Sequence, residues 1–188
     1  VYKGKYMKER QVAIKELKIV EDDIEDKEEK VREFIQEIQW LHYAKHPNLM
    51  ELIGIILSPP SIVLPFCEYG SLFDYAEGKR EKDKPNLSWI LRLRILIDIS
   101  NGMNYLHSLD PPIIHCDLKS PNVLLMSMKY DDEIVCKVAD YGLSQFSVGR
   151  FLVDSKMNPV SSAPEVIESK DISIKSDIYS FGSILYEV

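Results

Sequence analysis

Between residues 88 and 108 the chain carries Ile90, Leu91, Ile95, Ile97, Ile99, Met103 and Leu106. Apolar residues at that density and spacing predict a long helix buried in a core, with Ser88 placed to cap its N-terminus. A helix of this kind must be covered by other elements, and 188 residues are enough for one or two small folding units with a real core.

The preceding sequence is strand-like. Residues 1–6 and 11–17, with β-branched Val12 and Ile14, read as strands, as do the apolar runs 50–57 and 61–66 on either side of Pro59-Pro60. Between these pairs, charges of alternating sign over 21–30 predict a solvated loop running into an exposed helix start. Val31, Phe34, Ile35, Ile38 and Leu41 then recur at helical spacing, and His46-Pro47-Asn48 ends that helix. Gly70 and Ser71 break the chain; a short helix and a polar loop follow over 73–86. Beyond the long helix, short strands at 123–126 and 135–139 alternate with loops, and a last helix covers 175–188. Strands with one helix first and helices afterwards predict an α+β chain, with a small β-rich lobe followed by a mainly helical one.

Bulk properties narrow the function classes. A net charge of −7 argues against general binding to nucleic acid or anionic membranes. No run reaches the roughly 18 apolar residues of a membrane span, since residues 52–66 are broken by Ser58, Pro59 and Pro60. The start Val1-Tyr2-Lys3-Gly4 does not read as a signal peptide. Cys67, Cys116 and Cys136 are odd in number and lack metal-ligand spacing, which fits unpaired thiols in a reducing cytoplasm.

Chemistry concentrates in a few short motifs. Val12-Ala13-Ile14-Lys15 ends a strand on an ammonium able to reach nucleotide phosphates, given a carboxylate to hold it; Glu37 on the next helix is the candidate. By position alone Glu37 reads more simply as a surface residue. Ile113-Ile114-His115-Cys116-Asp117-Leu118-Lys119-Ser120-Pro121-Asn122 is more specific. It sets a carboxylate, a cation two residues on and an amide five residues on in one polar loop. These groups suit a base, a phosphate contact and an oxygen ligand for a hard cation. His115 reads as a packed core histidine. Val138-Ala139-Asp140-Tyr141-Gly142 adds a second carboxylate at a strand end, while Ala163-Pro164-Glu165 and Ser176-Asp177-Ile178-Tyr179-Ser180-Phe181-Gly182 are weak singly.

Taken in order, these motifs resemble the signature set of eukaryotic protein kinases, over essentially the whole chain. The resemblance implies a bilobal kinase-like fold, with an N-lobe over 1–65, a hinge over 66–71 and a partial C-lobe over 72–188. It implies ATP and Mg2+ as cofactors and transfer of the γ-phosphoryl group to serine or threonine of a protein substrate in intracellular signalling. Lys15 pairs with Glu37; Asp117 is the base, Lys119 the γ-phosphate contact, and Asn122 and Asp140 the metal ligands. Leu64 is the gatekeeper, Pro65, Phe66 and Cys67 form the hinge that meets adenine, and Val1, Ala13 and Leu124 sandwich the ring. Leu41, Leu52, His115 and Tyr141 stack as a spine, and Asp177 anchors the catalytic-loop backbone. Asp-Leu-Lys-Ser-Pro-Asn resembles the serine/threonine and tyrosine-kinase-like pattern. Pro-Pro-Ile-Ile-His, Val-Cys-Lys-Val-Ala-Asp and Tyr-Gly-Leu-Ser-Gln-Phe-Ser-Val are similar to Roco/LRRK-type kinases.

Departures from that pattern are informative. Val1 stands where the glycine-rich loop normally ends, and the chain stops in the helix containing Asp177, so the chain alone is expected to be poorly stable or inactive. Regulatory domains are expected in the parent chain. Cys116 replaces the usual arginine before Asp117, and Asn158-Pro159-Val160-Ser161-Ser162 departs from the usual approach to Ala163. These departures motivate a second reading, a pseudokinase that binds nucleotide or partners without transferring phosphate. Ser144, Ser147, Ser155, Ser161 and Ser162 are candidate modification sites within ordinary loop serines.

Overall fold

The computed structural model describes residues 1–7, 9–18, 24–76, 86–140, 144–146 and 161–188, with the backbone course alone for 24–26. Strands β1 (Tyr2–Tyr6), β2 (Arg10–Glu16), β3 (Gly54–Leu57) and β4 (Pro60–Pro65) form an antiparallel sheet in the order β1-β2-β4-β3. Helix α1 (Ile24–Tyr43) lies between β2 and β3 in the chain. After the sheet come α2 (Leu72–Ala76), α3 (Trp89–Ser108), β5 (Ile113–Ile114), a 3-10 turn at Ser120–Asn122, β6 (Val123–Leu125), β7 (Cys136–Val138), β8 (Gln145–Phe146), α4 (Pro164–Ser169) and α5 (Ile174–Glu187). β5 pairs with β8 and β6 with β7, both antiparallel. The α+β class expected from the sequence is borne out.

Helix α3 begins as its sequence dictates. Ser88 has extended geometry (φ −65°, ψ 158°) and its Oγ accepts the Leu91 N–H at 3.3 Å. Leu91, Ile95, Ile99, Met103 and Leu106 are buried along one side. Ile90 and Ile97 are not: they stand 51% and 54% exposed, because the apolar load of the helix exceeds the single face that meets the core. Glycine at 102 permits the closest approach, since a Cβ there would lie 3.0 Å from Leu49 Cδ2 and 3.1 Å from the Asn48 carbonyl oxygen.

Three other expectations need correction. In α1 the buried residues are Glu37, Trp40 and Leu41, whereas Ile35 is half exposed. The helix ends at Tyr43, before His46-Pro47-Asn48. Residues 50–53 lie outside β3: at their start the Met50 N–H donates to the Val138 carbonyl, and the Val138 N–H to the Asn48 carbonyl, each at 2.8 Å, and only Ile53 reaches β4, its N–H donating to the Val63 carbonyl at 2.9 Å. That exchange stitches the segment before β3 onto β7. Trp40 and Leu41 of α1, Ile62 of β4, Ile95 and Ile99 of α3 and Ile184 of α5 accordingly belong to one continuous core.

A polar clamp lies inside this core. Asp98 of α3 is 1% exposed, and its Oδ2 accepts the N–H groups of Val135 and Cys136 at 2.8 and 3.1 Å. Arg94 Nε donates to the other oxygen at 3.1 Å. Removing the carboxylate leaves two buried backbone donors unpaired. Asp98→Ala is therefore expected to lower unfolding free energy by about 2 kcal/mol or more in urea titration, with Asp98→Asn losing less because one acceptor oxygen remains. Wild-type stability in the alanine variant would remove the clamp from this account.

Candidate functional site

The strand register sets the first half of the site. Ala13 of β2 faces Leu64 of β4, Val12 faces Pro65, and Lys15 faces Ile62. The chain leaves β4 through Phe66 and Cys67, and Lys3 Nζ lies 4.4 Å from the centre of the Phe66 ring. Cys67 is half-buried, its Sγ 3.3 Å from Met126 Sδ. Two contacts then tie this connector to the second half. Ser71 bridges to Leu124, and the Leu125 N–H donates to the Gly70 carbonyl at 2.8 Å. Ala13, Leu64, Cys67 and Leu124 are thus half-buried residues of adjoining segments, whereas Val1, 79% exposed, is the outlier of the set.

Lys15 is the point where the halves meet. Its Nζ donates to Glu37 Oε1 and Oε2 at 2.7 and 2.8 Å and lies 3.6 Å from Asp140 Oδ1. Glu37 is only 6% exposed, so the surface reading of this residue is overturned: the carboxylate turns inward because an ammonium is there to receive it. Burial alone pushes the Lys15 ammonium down, but Asp140 and Glu37 together outweigh it and hold its pKa above the ordinary 10.5. For Glu37 the balance goes the other way. Burial pushes its pKa above the ordinary 4.5 against the opposing pull of Lys15. The contact itself favours the charged form of both residues; the net rise at Glu37 measures its own desolvation, which the single cation does not offset, whereas the Lys15 ammonium faces two carboxylates.

The loop after β5 supplies the second cluster. Lys119 Nζ donates to Asp117 Oδ1 at 2.9 Å and lies 2.8 Å from Oδ2. Asn122, 7% exposed, donates its Nδ2 to the Asp117 carbonyl at 2.8 Å and to Asp117 Oδ2 at 3.1 Å. With its nitrogen so used, Oδ1 is the amide atom left to meet a cation. Asp140, half exposed, ends the β7 segment at φ 69°, a left-handed geometry that aspartate tolerates better than most residues. Among the described residues no group of three or more His, Cys, Asp or Glu could hold a metal. The oxygen donors of Asn122 and Asp140 instead suit Mg2+, which takes one or two protein ligands and completes its shell with phosphate and water.

The loop is held from behind. Asp177 of α5 is 2% exposed; its Oδ2 accepts the His115 N–H at 2.9 Å and its Oδ1 the Cys116 N–H at 3.1 Å. His107 Nε2 lies 2.8 Å from Oδ2. The clamp fixes Cys116 at φ 66°, a strained value for a cysteine, immediately before Asp117. His115 is fully buried, as expected of a core histidine. Leu41 is buried and Leu52 half-buried, while Tyr141, the remaining spine residue, lies outside the described residues, as do Ser147 and Ser155. Burial pushes the Cys67 thiol up to about 11 and the Cys116 thiol up to about 12, which favours the protonated form of both at neutral pH.

Sequence reasoning missed His107, Asp98, Gln36 and Gln145, which act through a carboxylate, backbone N–H groups, a backbone carbonyl and a thiol, respectively, far away in the chain. No local motif marks them; only the apolar residues flanking Asp98 hinted that its helix position faces inward.

A profile described as protein tyrosine and serine/threonine kinase matches residues 1–188. Among curated relatives, probable serine/threonine-protein kinase pats1 of Dictyostelium discoideum is 37% identical across 100% of this chain, which covers 6% of that protein. Probable serine/threonine-protein kinase roco8 of the same organism is 40% identical over 84% of the chain and 8% of its own length. Serine/threonine-protein kinase CTR1 of Arabidopsis thaliana is 39% identical over 85% of the chain and 19% of its own length. The chain thus spans a small part of each.

The pair at Lys15 can be measured directly. Lys15→Met leaves Glu37 buried without its cation, whereas Lys15→Met with Glu37→Leu removes both charges. A double-mutant cycle in urea is expected to give a coupling of about 1–2 kcal/mol, below that of a fully buried pair because the Lys15 side chain keeps 37% exposure. Since the folded pKa of Lys15 is raised, its contribution is complete below 10.5 and declines as pH rises through the folded value. Coupling near zero at pH 7, or unchanged well above that range, would count against the pairing.

Proposed function

The chain belongs to the protein tyrosine and serine/threonine kinase family, and from that premise we propose that it forms the nucleotide-binding and catalytic part of a serine/threonine protein kinase in a larger protein. The observation that carries the reading is the bridge at Lys15, whose ammonium contacts Glu37 at 2.7 Å and Asp140 at 3.6 Å. Carboxylates from α1 and from the end of β7 converge on one cation that ends a strand. The segments 1–65, 66–71 and 72–188 serve as N-lobe, hinge and partial C-lobe. ATP lies between them, its adenine against Ala13, Leu64, Phe66, Cys67 and Leu124, with Val1 as an outer cover.

Each residue has a task that follows from its chemistry. Lys15, held by Glu37, orients the α- and β-phosphates. Asp117 accepts the proton of the serine or threonine hydroxyl as its oxygen attacks the γ-phosphorus. Lys119 neutralises charge on the transferring oxygens, and ADP leaves. Asn122 Oδ1 and the Asp140 carboxylate would hold Mg2+, which when bound would supply charge neutralisation for the phosphates. Holding the reactants in line accounts for roughly 7–11 kcal/mol of barrier in well-oriented systems, so positioning residues carry much of the catalysis.

Serine/threonine specificity draws on the loop sequence Asp117-Leu118-Lys119-Ser120-Pro121-Asn122 and on the similarity to the serine/threonine-protein kinases pats1, roco8 and CTR1. The cytoplasm is the compartment that fits the free thiols of Cys67, Cys116 and Cys136. Protein substrates and regulatory domains of the parent chain are the partners. The alternative, a nucleotide-binding pseudokinase, draws on Cys116, whose thiol accepts Gln145 Nε2 at 3.3 Å in the place an arginine occupies in the family pattern.

Transfer of radiolabelled phosphate from ATP by the full-length parent decides between these. Asp140→Asn is expected to lower Mg2+-dependent transfer by at least about 100-fold, the scale of losing one strong electrostatic contact at a reacting centre. Undiminished turnover in that variant ends the assignment of Asp140, and nucleotide binding without any transfer by the wild type favours the pseudokinase.

A further inference from the structure

Helix α1 is held on two sides by consecutive residues. Glu37 reaches Lys15 on β2, while Gln36 donates its Nε2 to the Ser144 carbonyl at 2.9 Å. Ser144 immediately precedes β8, is fully buried, and donates its Oγ to the His115 carbonyl at 3.3 Å. One turn further along α1, Trp40 packs edge-on against Phe146 with ring centres 4.8 Å apart, and Tyr43 meets the same ring at 6.0 Å. β8 in turn pairs with β5, Ile113 opposite Phe146 and Ile114 opposite Gln145, and Gln145 reaches Cys116. Three consecutive residues therefore touch α1 on one side and the start of the Asp117 loop on the other.

We propose that Gln36 is a positioning residue: by fastening α1 to the segment Ser144–Phe146, it fixes the rotation of the helix that presents Glu37 to Lys15. Adjacent helix positions differ by about 100° in direction, so the two side chains grip elements on different sides of the axis. A rotation that releases Glu37 from Lys15 also breaks the Gln36 contact, and a shift of the Ser144 carbonyl loosens both. The Trp40 and Phe146 rings give the helix a seat, but a T-shaped ring contact tolerates sliding; the directional hydrogen bond selects one setting. The proposal rests on the kinase reading for its effect on transfer, but not for its geometry.

The test uses the full-length parent with two substitutions at position 36. Gln36→Glu keeps the length and places a carboxylate oxygen against the Ser144 carbonyl, whereas Gln36→Lys keeps a donor. Gln36→Glu is expected to lower kcat about tenfold, the size of one lost hydrogen bond expressed as rate. Gln36→Lys restores most of it. In a Glu37→Gln background Gln36→Glu is expected to add little, because it acts through Glu37. A second readout does not require catalysis: Lys15 is labelled by an amine-reactive reagent, and loss of its Glu37 partner makes it react faster in Gln36→Glu but not in Gln36→Lys.

Labelling that is unchanged in Gln36→Glu overturns the proposal, whether or not the parent transfers phosphate. So does a rate loss that persists in full without Glu37. Faster labelling in a parent that transfers no phosphate supports the positioning role and overturns the kinase reading instead.

Discussion

The buried carboxylate of Asp177 governs the geometry on which the site depends. It accepts two successive backbone N–H groups, those of His115 and Cys116, from within α5, and so holds the chain in a left-handed step just before Asp117. Without that acceptor the two donors would be left in an environment without water, and the step at Cys116 would relax toward ordinary angles. The direction of the Asp117 side chain, and with it the contacts of Lys119 and Asn122, follows from this one turn of backbone. Asp98 repeats the device at Val135 and Cys136, setting the start of β7 and hence the strand that leads to Asp140. Two carboxylates from helices thus aim two carboxylates on loops.

Electrostatics explains why the cluster holds together. Glu37 is almost wholly buried and Asp140 half exposed, and Lys15 lies between them. Desolvation disfavours the charges of Lys15 and Glu37, yet the ammonium gains from two carboxylates at once and stays protonated. A second cation, Lys119, accompanies Asp117. Each carboxylate at the site therefore has a positive neighbour, with two cations shared among three carboxylates.

Much of this was legible in the sequence because the signals were local. Ser88 capped its helix as its position required, and the strands around Lys15 and Leu64 followed β-branched patterning. The motifs around Asp117 and Asp140 carried the site because residues two to five apart in a loop meet directly. The failures came where distant contacts override local pattern. Glu37 looked exposed beside an apolar stripe, but its partner lies on another element. Residues 50–53 looked like strand, but their neighbour 48–50 exchanges hydrogen bonds with Val138. Ile90 and Ile97 looked like core, but only one side of α3 has a partner among the described residues. His107 and Gln36 gave no signal, since a histidine or glutamine on a helix is ordinary until its acceptor is known.

The reciprocal hydrogen bonds between Asn48, Met50 and Val138 join the segment leading into β3 to the strand that leads on to Asp140, while Gly70 and Ser71, just after β4, are fastened to β6. β6 and β7 are themselves a pair. The four-stranded sheet is therefore tied through both of its inner connections to one two-stranded ribbon, and parting them means breaking backbone hydrogen bonds at both places together.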